Sequence, residues 1–460
     1  MGFFKAYDMR GVFGVDFDLG IVRDVGRALP SVTGGRRWLI GRDGRLSGAA
    51  MRDALAEGLV EAGAEVVDMG LCTTPMVYYF TAVDGYDGSV MITASHNPPG
   101  DNGLKVSRKG ALPVGYDGGL RQVEEMLRSC GAAPSSGEPA AVGSVRSGGE
   151  FTARYLGFLK ERARLCAASR VPSRFGVDCS NGVASLLVHE IFPEAVVIND
   201  RIDGNFPAHS PNPLKAEARE RMSALVRERR LDFGLIFDGD ADRVMVVDER
   251  GEFVQPDYLI PMIAKAAAES EGVESGKVLH DVRTSRAVIE TLVEDGFEPV
   301  MTPVGHAFAK PRMRETRALC GGELAGHYYF RDFFGCDSGF LAAFKVLSGF
   351  AGWRSASPGG CGTFSEMMAP IRSRYVNSGE LNFEVADKAS AIARIVAHAG
   401  VFGKELSRTE IDGVRIEFEE GWFNVRQSNT EPLLRIVAEA AAADVLDGWI
   451  AELRRLICGL

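Results

Sequence analysis

Two short stretches of the sequence combine residue types that could carry a phosphoryl group and hold a cation. In the first, residues 90–100 (VMITASHNPPG), a short apolar run leads into two prolines, each of which fixes its backbone, so the pattern predicts a strand that stops at a stiff loop. We expect Ser95 to stand on this loop with its hydroxyl presented rather than buried, which suits nucleophilic or phosphoryl-carrying chemistry. A turn serine that bonds only to its own backbone is the plainer alternative.

The second stretch, residues 238–243 (DGDADR), places a carboxylate at every second position between two apolar runs. The side chains of Asp238, Asp240 and Asp242 would repel one another, so something cationic should hold them together. Oxygen ligands of this kind suit Mg²⁺, and we therefore predict a metal site. A solvated acidic turn is the alternative.

Composition limits what the whole chain could do. At 460 residues the chain should form about three or four domains, and its net charge of −10 argues against broad binding to nucleic acid or to an acidic membrane. No apolar run is long enough to span a membrane, and the N-terminal residues meet charge too early for a signal peptide. The eight cysteines lack C-x-x-C spacing and fit reduced thiols. These features predict a cytoplasmic protein.

Three segments of the chain share one plan. Each has a short apolar run, an aspartate followed by small polar residues, a helical stretch and a second apolar run, which is typical of a strand–helix–strand unit with a parallel crossover. Three α/β domains are therefore expected. The segments are residues 38–70, 174–200 and 277–305, and their aspartates are Asp43, Asp178 and Asp281.

The end of the chain has a different pattern. Residues 385–398 look helical, residues 412–419 alternate like a strand, and a helix is expected at 443–457. We therefore predict an α/β protein with three similar mixed α/β domains and a C-terminal α+β domain with an antiparallel sheet, arranged around a central cleft. Residues 131–150 are rich in Gly, Ser, Pro and Ala and predict a linker. The predicted domains are residues 1–145, 150–252, 253–362 and 366–460.

Several motifs together resemble one enzyme family. The stretches TASHNPPGDNGLK (93–105) and DGDADR (238–243), in this order and spacing, resemble the α-D-phosphohexomutases, and most of all their phosphomannomutase/phosphoglucomutase branch. GGELAGH (321–327) is similar to the sugar-recognition loop of that family, and RQSNTEP (426–432) to its phosphate-binding loop. Further matches are YDMRG (7–11), GRDGR (41–45) and GHAFAK (305–310).

The resemblance implies a reaction and its cofactors. It implies reversible phosphoryl transfer between the 1- and 6-positions of a hexose phosphate, with mannose and glucose as the favoured sugars. Ser95 would be the phosphoserine, a hexose 1,6-bisphosphate would be both intermediate and activator, and Mg²⁺ would bind to Ser95, Asp238, Asp240 and Asp242. The partners would be small hexose phosphates, with neither nucleic acid nor membrane, and the protein would be a monomer or a dimer. In chain order, the predicted domains would carry the phosphoserine, the metal, the sugar-recognition loop and the phosphate-binding loop.

The resemblance also assigns residues around Ser95 and the substrate. Arg10 and Lys105 would lie beside the serine, and Lys105 could assist proton transfer because neighbouring cations and partial desolvation can lower the pKa of a lysine. His306 is the other acid/base candidate, with a structural loop histidine as its alternative. For Arg435 the alternative is a solvated strand residue. The expected substrate-binding residues are Arg243, Arg283, Glu323, His327, Arg426, Ser428, Asn429, Thr430 and Arg435.

Two departures from the family pattern leave sugar contacts open. Ala325 stands where many relatives carry serine, and Arg283 stands where relatives of this branch often have lysine. A phosphoglucosamine mutase is a rival interpretation, although that branch tends toward SASHNP rather than the TASHNP seen here. A non-catalytic sugar-phosphate binding protein is a second rival. Under the favoured interpretation, the fourth domain is expected to swing and close the cleft.

Overall fold

The computed structural model describes residues 2–130, 145–147, 150–166, 173–428 and 433–458. It describes only the backbone of Cys130, residues 145–147 and Cys458. Within these ranges the chain forms four units, each built on one sheet. None of the helices in this part of the chain is both long enough and apolar enough to cross a membrane.

The first domain carries helices on a mixed sheet. Its helices begin where the sequence provides caps: the Asp18 carboxylate accepts from the backbone N–H of Ile21, and the Thr73 hydroxyl accepts from that of Met76. The elements are β1 (Met9–Val12), α1 (Leu19–Thr33), β2 (Arg37–Arg42), α2 (Gly48–Glu61), β3 (Glu65–Leu71), α3 (Thr74–Val83), β4 (Gly88–Ile92), β5 (Asp101–Arg108), β6 (Leu112–Pro113), α4 (Arg121–Cys130) and β7 (Val145–Ser147).

The second and third domains follow the same general plan. The second domain contains α5 (Phe151–Leu165), β8 (Phe175–Asp178), α6 (Val188–Ile191), β9 (Val196–Ile198), α7 (Ala216–Arg229), β10 (Phe233–Phe237), β11 (Val244–Asp248) and β12 (Phe253–Val254). The third contains α8 (Ile260–Glu271), β13 (Lys277–Asp281), α9 (Arg286–Glu294), β14 (Glu298–Thr302), α10 (His306–Thr316), β15 (Cys320–Gly322), β16 (Tyr328–Phe330), β17 (Cys336–Asp337), α11 (Gly339–Ala356) and α12 (Phe364–Arg372).

The three sheets repeat one topology. The predicted strand–helix–strand units are confirmed as the parallel pairs β2–β3, β8–β9 and β13–β14. In each sheet the first strand of the pair also lies parallel to a third strand, which then turns back in an antiparallel hairpin. These hairpins are β4–β5, β10–β11 and β15–β16. Since the hairpins occupy equivalent positions, their connecting loops emerge at equivalent edges of the three sheets.

The aspartate of each repeat shapes the turn after its strand. The carboxylates of Asp43, Asp178 and Asp281 each accept a hydrogen bond from the backbone N–H two residues later, at 3.0, 2.7 and 2.6 Å respectively. A short acidic side chain that bonds to its own following backbone is a common way to fix such a turn. The repeat in the sequence is thus a repeat of local hydrogen bonding.

The fourth domain is an antiparallel sheet with two helices, as predicted. Every neighbouring pair in this sheet is antiparallel, and the strand order is β18 (Val376–Glu384), β22 (Leu433–Ala440), β21 (Gly421–Gln427), β20 (Val414–Phe418) and β19 (Glu405–Thr409). Strands β18 and β19, the first two in chain order, were not expected from the sequence. The two helices are α13 (Lys388–Ala397) and α14 (Ala443–Cys458).

Apolar packing divides the molecule into two bodies. One buried cluster runs without interruption through the first three domains, from Leu39 in β2 through Phe237 in β10 to Phe340 in α11. A separate buried cluster, which includes Ile416 and Trp449, lies wholly within the fourth domain. Between described residues, the hydrogen bonds and ion pairs that join the fourth domain to the rest of the chain all end on the third.

The predicted segment limits need three corrections. Residues 145–147, placed in a linker, form β7, which pairs with β3 at the edge of the first sheet. Residues 253–254 form β12 of the second sheet, two residues beyond the predicted limit at 252. The predicted start of the last domain, residue 366, falls inside helix α12. This helix buries Phe364 and Met368 in the core of the first three domains. Its apolar face therefore makes it part of that body. Residues 131–144 and 148–149 lie outside the described residues.

Candidate active site

The Ser95 loop connects β4 to β5, as the sequence predicts. Ser95 adopts a left-handed backbone conformation with φ of 50°, which is strained for a non-glycine residue. Its backbone N–H donates to Thr93 Oγ1 at 2.7 Å, and Thr93 Oγ1 donates to Asp43 Oδ2 at 2.6 Å. The expectation of an exposed hydroxyl is wrong, because Ser95 is only 2% exposed and the acidic loop of the second domain covers it.

A single buried guanidinium holds the carbonyl groups of this loop. Arg45 Nη2 donates to the backbone oxygens of Ser95 and Asn97 at 2.9 and 2.7 Å. Its Nη1 donates to those of Pro98 and Asp101 at 2.6 and 2.8 Å. A planar group with several fixed donors can bind four carbonyls at once, which an ammonium on a flexible stem cannot do. Arg45 therefore fixes the shape of the loop that presents Ser95.

The loop between β10 and β11 brings the acidic residues onto Ser95. Ser95 Oγ donates to Asp238 Oδ2 at 2.8 Å, and Arg243 Nη2 donates to Ser95 Oγ at 3.1 Å. Arg243 Nε also donates to Asp238 Oδ2 at 2.9 Å. The serine hydroxyl thus contacts both a carboxylate and a guanidinium of the next domain. None of the carboxylates of this loop is more than 1% exposed, which excludes a solvated turn.

The acidic cluster (Asp238, Asp240 and Asp242) fits a divalent cation. One carboxylate oxygen from each of the three residues lies within 4.8 Å of the others. Asp240 Oδ1 and Asp242 Oδ1 are buried and have no hydrogen-bond partner among the residues that the structure describes. Since buried carboxylate oxygens without a hydrogen bond are costly, these two atoms suit metal ligation. A second carboxylate–histidine group, made of Asp242, His327 and Asp337, is less suitable, because the Lys310 ammonium already lies 2.9 Å from Asp337 Oδ1.

Two side chains of the first domain hold the acidic cluster in place. Lys105 Nζ, on β5, donates to Asp240 Oδ2 at 2.8 Å and to Asp242 Oδ2 at 2.6 Å. Thr74, at the start of α3, donates its hydroxyl to Asp240 Oδ2 at 2.6 Å, and its backbone N–H donates to the Asp240 carbonyl at 3.0 Å. Burial alone would lower the pKa of Lys105, but the two carboxylates outweigh burial and raise it. The expected lowering is therefore wrong for this arrangement.

The hairpin loop β15–β16 of the third domain meets the same region. Glu323 Oε1 accepts from the Tyr329 hydroxyl at 2.5 Å, and its Oε2 accepts from the backbone N–H of Gly305 at 3.2 Å. His327 forms an isolated antiparallel bridge with Arg243, which joins the third domain to the acidic loop. Ala325 lies in the turn between Glu323 and His327, and its methyl group offers no hydrogen bond to a sugar.

Two histidines of the third domain differ in electrostatic environment. Burial, assisted by the charges of Lys310 and Lys105, lowers the pKa of His306 well below its usual value. Burial also disfavours the charged form of His327, but Asp242 and Asp337 outweigh it and raise the pKa. His327 Nδ1 donates to Asp337 Oδ2 at 2.7 Å, and the centroids of the two imidazole rings are 6.3 Å apart.

Arg10 and His96 flank the serine loop. Arg10 lies on β1 and donates to Asn97 Oδ1 at 3.1 Å and to Asp8 Oδ2 at 2.6 Å, so it is bound to the loop that carries Ser95. His96 Nδ1 lies 3.4 Å from Ser95 Oγ. Burial and the charges of Arg243 and Arg10 lower the pKa of His96 well below its usual value.

Three arginines of the third and fourth domains form an arginine cluster (Arg283, Arg426 and Arg435). Arg283 donates through Nε and Nη2 to the carboxylate of Asp281, and it keeps Nη1 for Glu380 at 3.2 Å. All three guanidiniums contact the Glu380 carboxylate. Arg435 is thus an ion-pair partner and not simply a solvated strand residue. Ser428 directly follows β21, and its backbone N–H donates to the Leu433 carbonyl, whereas Asn429 and Thr430 lie outside the described residues.

Sequence reasoning missed several residues of the site. Arg45 lies in the motif GRDGR (41–45), but the sequence did not indicate that its guanidinium would bind the Ser95 loop. Thr74 follows a capping threonine and precedes a proline, which is a recognisable helix start that aims a backbone N–H outward. Glu380 lies in a strand that the sequence pattern did not indicate, and no local signal connects it to arginines about 50 and 100 residues away.

Comparisons with known proteins agree with this geometry. Models of the alpha/beta/alpha domains I, II and III of phosphoglucomutase/phosphomannomutase match residues 1–128, 153–251 and 255–358, and the model of the C-terminal domain matches residues 380–456. The chain is 36% identical over 461 residues to the phosphohexose mutases of Xanthomonas campestris pv. campestris, with 99% of each chain covered. It is 34% identical over 452 residues to a phosphomannomutase of Escherichia coli, with 96% of each covered.

A solved structure shows the same architecture over almost the whole length. The crystal structure of a phosphoglucomutase/phosphomannomutase family protein from Burkholderia thailandensis superposes with a TM-score of 0.85 at 29% identity. The alignment covers 99% of this chain and 96% of that one. The similarity therefore extends across all four domains.

Proposed function

The chain belongs to the phosphoglucomutase/phosphomannomutase family and is a phosphohexomutase, and from this premise we propose that it moves a phosphoryl group between O1 and O6 of mannose or glucose through Ser95. The observation that carries this proposal is the position of Ser95 Oγ. It contacts Asp238 Oδ2 and Arg243 Nη2 at the junction of two domains, on a loop that Arg45 holds rigid. A rigid hydroxyl beside an acidic cluster and a cation suits a phosphoryl carrier.

The four domains would divide the work. We assign phosphoryl carriage to the first domain, metal binding to the second, sugar recognition to the third and phosphate binding to the fourth. Support comes from the loops, because the three equivalent hairpins carry Ser95, the acidic cluster and Glu323, and the loop of the second domain contacts those of the first and third. Bound to Asp238, Asp240, Asp242 and a phosphoryl oxygen of Ser95, Mg²⁺ would supply positive charge against the transferring group.

In the first half of the reaction, phospho-Ser95 gives its phosphoryl group to the free hydroxyl of the hexose phosphate. The bond from phosphorus to Ser95 Oγ breaks, a bond to the sugar oxygen forms, and the proton of the sugar hydroxyl leaves to a base. We assign this base to His306, because burial and nearby ammonium groups favour its neutral imidazole. Arg10, Lys105 and Arg243 would hold the serine loop and its charge in place.

In the second half, the hexose 1,6-bisphosphate turns around within the site. Its other phosphoryl group then returns to Ser95 Oγ, and the sugar oxygen that is left takes up the proton. Glu323 and His327 would bind sugar hydroxyls in both orientations, and Arg426, Arg435, Ser428, Asn429, Thr430 and Arg283 would bind the phosphate that is not reacting. Added hexose 1,6-bisphosphate would act as an activator, because it rephosphorylates any Ser95 that has lost its phosphoryl group.

A coupled assay tests the proposal. Purified protein with Mg²⁺ and a trace of glucose 1,6-bisphosphate should convert mannose 1-phosphate or glucose 1-phosphate into the 6-phosphate, and Ser95→Ala should reduce turnover by at least about a thousandfold. Near-normal turnover of S95A would contradict the assignment. Conversion of glucosamine 1-phosphate in preference to the other two sugars would show that the sugar is wrong.

A further inference from the structure

The arginine cluster contains an acidic residue of the chain itself. Glu380 lies on β18, next to an irregularity in the pairing of β18 with β22 and directly after Gly379, whose φ is 65°. Such an irregularity bends a strand and re-aims its side chains. The Glu380 carboxylate consequently lies among guanidiniums from two domains, and its side chain is 22% exposed.

Each oxygen of this carboxylate is engaged. Oε2 accepts from Arg283 Nη1 at 3.2 Å and from Arg426 Nη2 at 3.1 Å, and Oε1 accepts from Arg435 Nη1 at 3.0 Å. These distances lie within the usual range of N–H···O hydrogen bonds, at its longer end. One carboxylate therefore bridges an arginine of the third domain and two arginines of the fourth.

The arginines carry more positive charge than this carboxylate neutralises. Arg283 has a second partner in Asp281, but the Nε of Arg426 is buried and has no hydrogen-bond partner among the described residues. Burial and the nearby charge of Arg283 lower the pKa of Arg426. Burial disfavours the ionised form of Glu380, yet the guanidiniums of Arg283, Arg435 and Arg426 outweigh it and lower its pKa, so Glu380 is ionised near neutrality.

We propose that Glu380 is an internal counter-anion, which holds the arginine cluster together and whose hydrogen bonds the non-reacting phosphate of the substrate takes over. This inference rests on the proposed function for the identity of the incoming phosphate. A phosphate dianion and an ionised carboxylate repel one another at such short range, so they compete for the same donors. Glu380 thereby selects for a ligand with two negative charges, since a weaker anion does not displace it.

Glu380→Gln tests the competition because it keeps the shape of the side chain and removes its charge. Titration calorimetry with inorganic phosphate, without divalent cations, should give a dissociation constant at least about fivefold lower for E380Q than for the unaltered chain. Glu384→Gln is the matched control, since it removes the same charge from an exposed position of the same strand. It should change the constant by less than about twofold.

The same substitution in an R426Q variant tests whether the tighter phosphate binding arises at the arginine cluster. The gain of E380Q/R426Q over R426Q should be smaller than the gain of E380Q over the unaltered chain, because Arg426 supplies one of the three donors that Glu380 engages. If E380Q is less stable, the rise in thermal midpoint on adding phosphate gives the same comparison, and it should be larger for E380Q. Unchanged or weaker phosphate binding in E380Q, or a gain of the same size in the R426Q background, would overturn the inference.

The inference and the proposed function can fail separately. Phosphate binding needs no turnover, so tighter binding in E380Q together with no mutase activity of the unaltered chain would leave the inference standing and remove the proposed function. In an active enzyme, the KM for the hexose phosphate should also fall in E380Q. A raised KM would show that Glu380 only orients the arginines, and would overturn the counter-anion role.

Discussion

The region around Ser95 and the region around Glu380 are built in different ways. Ser95 and the acidic cluster belong to domains that share one apolar core with the third, and almost every side chain at their junction is buried. The arginine cluster lies where the third domain meets a fourth that has a core of its own, and there the two are joined by hydrogen bonds and ion pairs. A shared core does not slide without exposing apolar surface, whereas polar pairs can exchange for water or ligand.

This difference separates two tasks of the proposed mechanism. In-line phosphoryl transfer needs the serine, the acidic cluster and the proton acceptor at fixed distances, which a shared core provides. Release and reorientation of a bisphosphate need a boundary that opens and recloses, which a polar interface permits. We therefore expect the fourth domain to move as a unit against a rigid body of the other three.

The largest expected effect comes from breaking the acidic cluster. Asp240→Asn removes a carboxylate that contacts both Lys105 and Thr74, and it should reduce kcat by at least about a thousandfold while abolishing the rise in thermal midpoint on adding Mg²⁺. Glu220→Gln, an exposed residue of the same domain, serves as the control. Full activity of D240N with an unchanged response to Mg²⁺ would exclude the predicted metal site.

The next effect concerns the support of the serine loop. Arg45→Met leaves four backbone carbonyls and Asp43 without their buried cation, which should destabilise the protein by about 3 to 5 kcal/mol and lower kcat. Arg45→Lys should not restore activity, because an ammonium lacks the planar fork. Urea unfolding measures the loss, with Arg36→Met at an exposed position of the same domain as control. Equal midpoints for R45M and R36M would refute the structural role of Arg45.

The free energy of unfolding should depend on pH through Asp257 of the third domain. Burial raises the pKa of Asp257 to about 7, and its carboxylate accepts from the backbone N–H of Ser285 at 2.8 Å. Because the folded-state pKa lies above the unfolded value of about 3.9, the stabilising contribution is complete below that value and is lost as the pH rises through 7. Over this range the loss should approach about 4 kcal/mol.

Asp257→Asn removes this titration and keeps an oxygen that can accept from Ser285. The free energy of unfolding of D257N should therefore fall less steeply between pH 4 and pH 7 than that of the unaltered chain, and the difference should level off at higher pH. Urea unfolding at a series of pH values measures the slopes. Parallel slopes would show that Asp257 does not titrate in this range.

A smaller effect is expected from loosening the fourth domain alone. Arg286 donates to Glu417 and to the carbonyls of Phe418 and Gly421, so Arg286→Ala should weaken docking of the fourth domain by about 1 to 2 kcal/mol. Hydrogen exchange should then quicken in the fourth domain and at the residues of the third that face it, while strands β4 and β10 stay protected. Equally faster exchange in all four domains would contradict the division into two bodies.

The sequence was most informative where local patterns repeat. The three strand–helix–strand units could be predicted because each has apolar runs on either side of an aspartate, and those aspartates do close the same turn. Ser95 and the acidic cluster were identifiable from residue types and spacing. The burial of Ser95 and the raised pKa of Lys105 could not be predicted, because both depend on how the hairpin of the second domain packs on the first. The position of Glu380 among the arginines could not be predicted either, because it depends on how the third and fourth domains pack and no local sequence pattern indicates that packing.

In the proposed reaction, Ser95 carries the phosphoryl group. The most direct test is peptide mapping by mass spectrometry after the protein has been incubated with glucose 1,6-bisphosphate and Mg²⁺. One phosphoryl group should be found on the peptide containing residues 93–105, at Ser95, and it should disappear when excess glucose 6-phosphate is added without the bisphosphate and the products are removed. A phosphoryl group at any other residue, or none in a chain that turns over hexose phosphates, would contradict this role of Ser95.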